Sequence, residues 1–271
     1  MIEELRAHCK ELLAAGRVDC IYGLEDCDGA CVPRFFTTAA ELDRLVLAGK
    51  QRLFFTCRPA DRNLVALQQA QRPGVRIGIV VRGCDERALL ELAKLRQLSL
   101  EGVEVIGVAC NRSQAEACRC ARPYPREPVL GEKVEGVAED PALTRFRRMR
   151  PEERLAFWHH HLGKCIKCYG CRNACPLCFC RECQMERELF VTPGALPPDF
   201  PLFHFVHMMH LADRCADCGA CEDACPMDIP LRLLKTTMRE AVEALFGYRP
   251  GSDPAHRSPF ADISRGEATH G

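Results

Sequence analysis

Two runs of cysteine constrain this chain more than any other feature. The first is Cys165-x-x-Cys168-x-x-Cys171-x-x-x-Cys175-Pro176; the second is Cys215-x-x-Cys218-x-x-Cys221-x-x-x-Cys225-Pro226. A cubic 4Fe–4S cluster needs four thiolates around it. Three closely spaced cysteines wrap three corners, and the fourth must come from a distance. The proline after each fourth cysteine fixes φ and stops the loop from continuing as it began. Zinc ribbons use cysteine pairs, whereas each run here carries three evenly spaced thiols and then Cys-Pro, so iron–sulfur is preferred to zinc.

Composition agrees. The chain holds 20 cysteines among 271 residues, eleven of them between Cys165 and Cys225. Residues Met1 to Arg6 include acids and lack the apolar run of a secretory signal. The longest uncharged stretch of the cysteine-rich half, Phe200 to Ala212, is well short of the ~20 residues that cross a bilayer. A cytoplasmic protein without membrane insertion is therefore expected, in a compartment where thiols stay reduced and serve metals rather than disulfides. Lys plus Arg equals Asp plus Glu at 37 each, so no net field holds a phosphate backbone and nucleic acid is not expected as a partner.

The first half alternates apolar runs with helical periodicity, the pattern of an α/β domain with a mostly parallel open sheet. Helices are expected over Ile2 to Ala15, Asp61 to Gln71 and Asp85 to Leu98, and strands over Val18 to Tyr22, Leu53 to Thr56, Arg76 to Val81 and Val103 to Ala109. Prolines 123, 125, 128 and 141 and the basic cluster Arg145 to Arg150 mark a linker, its charges read as a solvated face. The expected organisation is an α/β domain over 1–121, a linker over 122–150, a mainly helical two-cluster domain over 151–249 and a flexible tail over 250–271. Helices are expected over Pro151 to His161, Leu202 to Asp213 and Pro230 to Phe246.

Weaker constellations surround this frame. Cys57, Cys84 and Cys110 each follow a predicted strand at the edge where open α/β sheets bind ligands, with Cys118 and Cys120 close behind. Together they are candidates for a third cluster. Cys178, Cys180 and Cys183 have three readings: a further cluster shared with the first domain, zinc with a histidine, or unligated packed thiols. Cys20, Cys27 and Cys31 fall in a loop-like region, and Cys9 is expected to pack. His159, His160 and His161 point in different directions and are read as solvated. His204, His207 and His210 recur every three residues, share a face, and are expected to tune a cluster through hydrogen bonds to sulfur. No dinucleotide fingerprint, Walker sequence, serine elbow or zinc-protease helix is present.

The paired runs resemble the two halves of a bacterial two-cluster ferredoxin. In that motif the fourth cysteine serves the other cluster. The resemblance thus assigns Cys165, Cys168, Cys171 and Cys225 to one 4Fe–4S cluster, and Cys215, Cys218, Cys221 and Cys175 to the second. The 39 residues between the halves exceed those of a compact ferredoxin, and suggest a helical frame like that of succinate dehydrogenase iron–sulfur or heterodisulfide reductase small subunits. Val80 to Leu89, Val105 to Cys110 and Cys118 to Pro123 resemble the beta-subunit family of deazaflavin-coenzyme-reducing hydrogenases and formate dehydrogenases. That family implies a cluster at Cys84, Cys110, Cys118 and Cys120, and in many members FAD. No stretch here matches a flavin-binding segment, so flavin is not favoured. The resemblance implies an electron-transfer subunit, itself non-catalytic, linking a formate dehydrogenase or hydrogenase partner to a heterodisulfide-reductase-like flavoprotein. The alternatives are a flavin-dependent subunit that itself reduces a deazaflavin or similar carrier, and a zinc-stabilised scaffold.

Overall fold

A computed structural model describes residues 1–48, 64–180, 182–189 and 191–260. Helix α1 (Ile2–Ala14) leads into β1 (Cys20–Cys27), β2 (Ala30–Phe36) and β3 (Leu45–Val46). Then come α2 (Leu64–Gln71), β4 (Ile77–Val81), α3 (Gly83–Lys94), β5 (Val103–Val108), α4 (Arg112–Ala117) and β6 (Pro128–Leu130). The strands form one sheet in the order β2-β1-β4-β5-β6, with β3 also on β1. The β1–β4, β4–β5 and β5–β6 pairs are parallel, and β2 and β3 run antiparallel to β1. This is an α/β region with a mostly parallel sheet.

Strand alternation sorts the core into two layers. Cys20, Tyr22, Leu24, Ile77, Ile79 and Val81 face Leu89 and Leu92 of α3 and Val65 of α2. Ile21, Val80, Ile106 and Val108 face Leu5, Cys9 and Leu12 of α1 on the other side. β4 is buried along its whole length, as expected of a parallel strand covered on both faces. Caps set the helix starts: the Asp85 carboxylate accepts the Arg82 N–H at 2.9 Å, and Asn111 and Gln114 exchange side-chain to backbone bonds at the head of α4.

Three expectations need amendment. The loop-like region around Cys27 and Cys31 is a hairpin, because Asp28 (φ 53°) and Gly29 (φ 83°) take the left-handed conformations of a tight hairpin turn. The stretch expected as a linker supplies β6 and a helix, α5 (Pro141–Arg148). The start of the tail is anchored, since the Gly251 N–H donates to the fully buried Glu91 at 2.7 Å and Ser258 bonds Asp213. The predicted strand at Leu53 to Thr56, and Cys57 after it, lie outside the described residues.

The second half is helical: α6 (Pro151–Leu162), the short α7 (Gly170–Asn173), α8 (Leu202–Met209), the short α9 (Ala220–Asp223) and α10 (Leu231–Phe246). It packs directly on the sheet layer, where Leu177, Leu211 and Ala216 join the α3 side of the core.

Candidate iron–sulfur sites

The two cysteine runs fold as repeats of each other. Lys167 (φ 50°) and Tyr169 (φ 57°) in the first are matched by Asp217 (φ 56°) and Gly219 (φ 74°) in the second. Each run then enters its short helix, α7 or α9. The left-handed residues on either side of the second cysteine curl the loop, so that successive thiols turn inward instead of alternating outward. At Gly170 a Cβ would stand 2.7 Å from the Ala224 carbonyl oxygen, so the two repeats approach here more closely than any side chain permits.

Two cavities result. One is walled by Cys165, Cys168, Cys171 and Cys225 with Pro226 and His204. The other is walled by Cys175, Cys215, Cys218 and Cys221 with Pro176 and Lys235. Each cavity thus takes three thiols from one run and the fourth from the other. Among the described residues no group of three or more His, Cys, Asp or Glu side chains is already closed into a metal-binding set. The walls nevertheless fit a 4Fe–4S cluster in chemistry: four soft thiol donors each, a Gly170 N–H directed at the Cys168 sulfur at 3.5 Å, and a buried His204 Nδ1 without a partner among the described residues. Burial pushes the Cys171 and Cys218 thiols up to about 12, so the positive charge of a bound metal would be needed to make thiolate ligands of them.

The ground between the cavities is polar. His207 is buried on α8, its Nδ1 3.9 Å from the Cys171 sulfur and its Nε2 3.6 Å from the Cys178 sulfur. Cys178 in turn bonds Cys175, which lowers the Cys175 pKa and raises its own. His207 and Cys178 therefore bridge a thiol of one cavity to a thiol of the other. Burial would strip the proton from Lys235, but the neighbouring sulfurs of Cys221, Cys175, Cys215 and Cys178 hold its pKa well above the ordinary lysine value. Burial also lowers the His204 pKa to about 4.

The remaining thiols divide. Cys178, Cys180 and Cys183 line a separate cavity of about 210 Å³ with His207, His210, Arg172 and Arg214. Cys84, in the first turn of α3, and Cys110, just past β5, both stand at the C-terminal edge of the sheet. Burial raises both thiols; Cys84 feels the charges of Cys218 and Cys120, and Cys110 those of Cys120 and Cys118. Four of the five sheet-edge candidates thus act on one another electrostatically, as does Cys218 of the second run on Cys84. Cys9 and Cys20 are packed in the core, and Cys27 and Cys31 are exposed on the first hairpin. His159 and His160 are exposed on α6.

Arginines that the sequence reading passed over bind the halves together. Arg87 of α3 donates to the Ala216 carbonyl at 2.9 Å and the Arg122 carbonyl at 3.1 Å, with the Cys120 sulfur 4.0 Å away. Arg232 of α10 donates to Asp217 at 2.8 Å, to the Arg119 carbonyl at 3.0 Å and to the Cys118 carbonyl. Arg119 in turn pairs with Glu222 and, at 3.0 Å, with Asp140. A signal was present: Arg232, Lys235 and Arg239 recur at helical spacing directly after the second run, and so form one stripe.

Comparison with known proteins adds relatives. Over 147 residues the chain is 41% identical to the F420-dependent formate dehydrogenase subunit beta of Methanocaldococcus jannaschii, a match covering 53% of this chain and 38% of that subunit. Over 96 residues it is 48% identical to the F420-dependent formate dehydrogenase 1 subunit beta of Methanococcus maripaludis, covering 35% of this chain and 24% of that one. The chain is a relative of these beta subunits. No protein-family model matches it. This beta-subunit relative therefore spans well under half the length of the curated proteins it matches. Among its described residues, no helix is long and apolar enough to cross a membrane.

Proposed function

We propose that this chain is an iron–sulfur electron-transfer subunit of a cytoplasmic oxidoreductase complex. It relays electrons between a formate dehydrogenase or hydrogenase type partner and a flavoprotein of heterodisulfide-reductase type. The observation that carries this is the division of eight thiols into two cavities, each holding the cysteines that the two-cluster motif assigns to one cube. Cys165, Cys168, Cys171 and Cys225 hold the first 4Fe–4S cube in a ferredoxin-like domain, and Cys175, Cys215, Cys218 and Cys221 the second. Cys84, Cys110, Cys118 and Cys120 hold a third at the sheet edge, with Cys218 as the neighbour through which the second cube faces it. When bound, such a cube takes up and gives back one electron without a change of ligands.

The chain's own residues do the rest. The thiolates hold the clusters, His204 and His207 present ring nitrogens beside the ligating thiols, and burial against the sheet keeps water from the inner cavity. The exposed Cys168 and the half-exposed Ile166 leave the first cavity open to a partner surface. The chain carries no catalytic group of its own in this role.

The test is metal and flavin analysis on protein purified without oxygen. Two cubes give about eight iron and eight sulfide per chain, and a third raises this to about twelve. Flavin in stoichiometric amount would instead make the chain a reductase of a deazaflavin-like carrier. Zinc in place of iron would end the electron-transfer assignment.

A further inference from the structure

Lys235 stands where ordinary solvation forbids a lysine. It is 4% exposed on α10 and lines the cavity of Cys175, Cys215, Cys218 and Cys221. An ammonium in such a place needs negative charge around it. That charge is available from sulfur, because the cavity Lys235 lines is walled by Cys175, Cys215, Cys218 and Cys221, the thiolates that would carry the cube. The first cavity feels it through Cys171. At Cys165 the charges that act are those of Cys168, Cys225 and Lys167 instead, and Lys167, which also lines that cavity, is only half-buried where Lys235 is buried.

We propose that Lys235 sets the order of reduction of the two cubes, making the one held by Cys175, Cys215, Cys218 and Cys221 the easier to reduce. The inference rests on the chain carrying both cubes. One electron added to a cube makes the cluster and its thiolates one unit more negative. A fixed positive charge in a low-dielectric site therefore stabilises the reduced form more than the oxidised one. Burial works the other way, disfavouring added charge, and the second cavity is the deeper: Cys221 is buried while Cys168 is exposed. Without Lys235, burial alone would leave the inner cube the harder to reduce, and electrons would rest on the outer one. With it, an electron arriving at the first cube moves inward, toward Cys84. The electron leaves one cube and enters the other, and no bond or proton is exchanged.

The experiment is a redox titration followed by electron paramagnetic resonance on full-length protein purified without oxygen. It compares wild type with Lys235→Met, Lys235→Gln and Lys235→Arg, after iron and sulfide have been counted in each. Cys168→Ser and Cys218→Ser assign the two signals. The second cube is expected to titrate above the first in wild type and in Lys235→Arg, and to fall to or below it in Lys235→Met and Lys235→Gln while the first moves less. Midpoints that stay put in the neutral variants, or that shift equally, overturn the proposal and leave the electron-transfer function standing. Wild-type protein without iron overturns the function itself. Loss of iron in all three lysine variants makes Lys235 a folding element and also ends the proposal.

Discussion

Replacing Arg232 with methionine tests how the two halves of the chain are held together. Its guanidinium is the shared donor to Asp217 of the second cysteine run and to the carbonyls of Cys118 and Arg119 beyond α4. Arg232 and Asp217 are both largely buried, with side chains 10% and 15% exposed. Breaking a buried ion pair by removing one partner costs about 3–5 kcal/mol. Asp217 keeps Arg239 at 3.1 Å, which cuts that loss to about 2 kcal/mol. The two carbonyls lose charged donors and regain water in part, adding about 1–2 kcal/mol. The expected destabilisation is about 3–4 kcal/mol, a fall in melting temperature of about 10 °C for a chain of this size. Arg232→Lys, which keeps the charge and loses the fork, should give about half of it. Differential scanning calorimetry under anaerobic conditions measures both. A melting temperature within about 2 °C of wild type for Arg232→Met would show that the network is ornamental.

Asp217 also predicts a pH dependence. Burial would raise its carboxyl pKa, but Arg239 and Arg232 hold it well below the ordinary carboxylate value. A depressed folded pKa contributes stability that is present above the unfolded value of about 4 and is lost as pH falls below it. Urea midpoints taken from pH 6 down to pH 3 should therefore fall more steeply for wild type than for Asp217→Asn; parallel curves would remove Asp217 from the account. Glu91→Ala removes the 2.8 Å ion pair of Lys94 and deprives Tyr248 and Gly251 of their acceptor. It should cost about 3–5 kcal/mol and free the 248–260 segment for limited proteolysis, whereas an unchanged digestion pattern would place the anchoring elsewhere. Burial pushes the Cys9 thiol up to about 12, so brief alkylation of native protein should modify the exposed Cys27 and Cys31 and spare Cys9. Peptide mass spectrometry reads this directly, and equal labelling of all three would contradict the packing of α1.

What the sequence by itself determined is whatever depends on neighbours along the chain. The grouping of the first three cysteines of each run is written in their spacing, because three corners of a cube lie within reach of one short loop, while the exchange of the fourth is what the ferredoxin resemblance implies. Strands such as Ile77–Val81 and the helix after it announce themselves through burial on both faces and a period of three to four. The Asp28-Gly29 turn was equally local, and its signal was available in the dipeptide that takes two left-handed residues in a row.

Tertiary structure alone decided what stands next to what across long separations. Nothing in the spacing of Cys84 and Cys110 says that both stand at the C-terminal edge of the sheet, since that depends on parallel strands ending at one edge, and nothing there says that Arg87 and Arg232 draw the second half against it. The stripe of Arg232, Lys235 and Arg239 could be seen as one face of a helix, but a charged face is ordinarily solvated. Only the packing of α10 over the second cavity turned it inward, where thiols and the Asp217 carboxylate offset the loss of water.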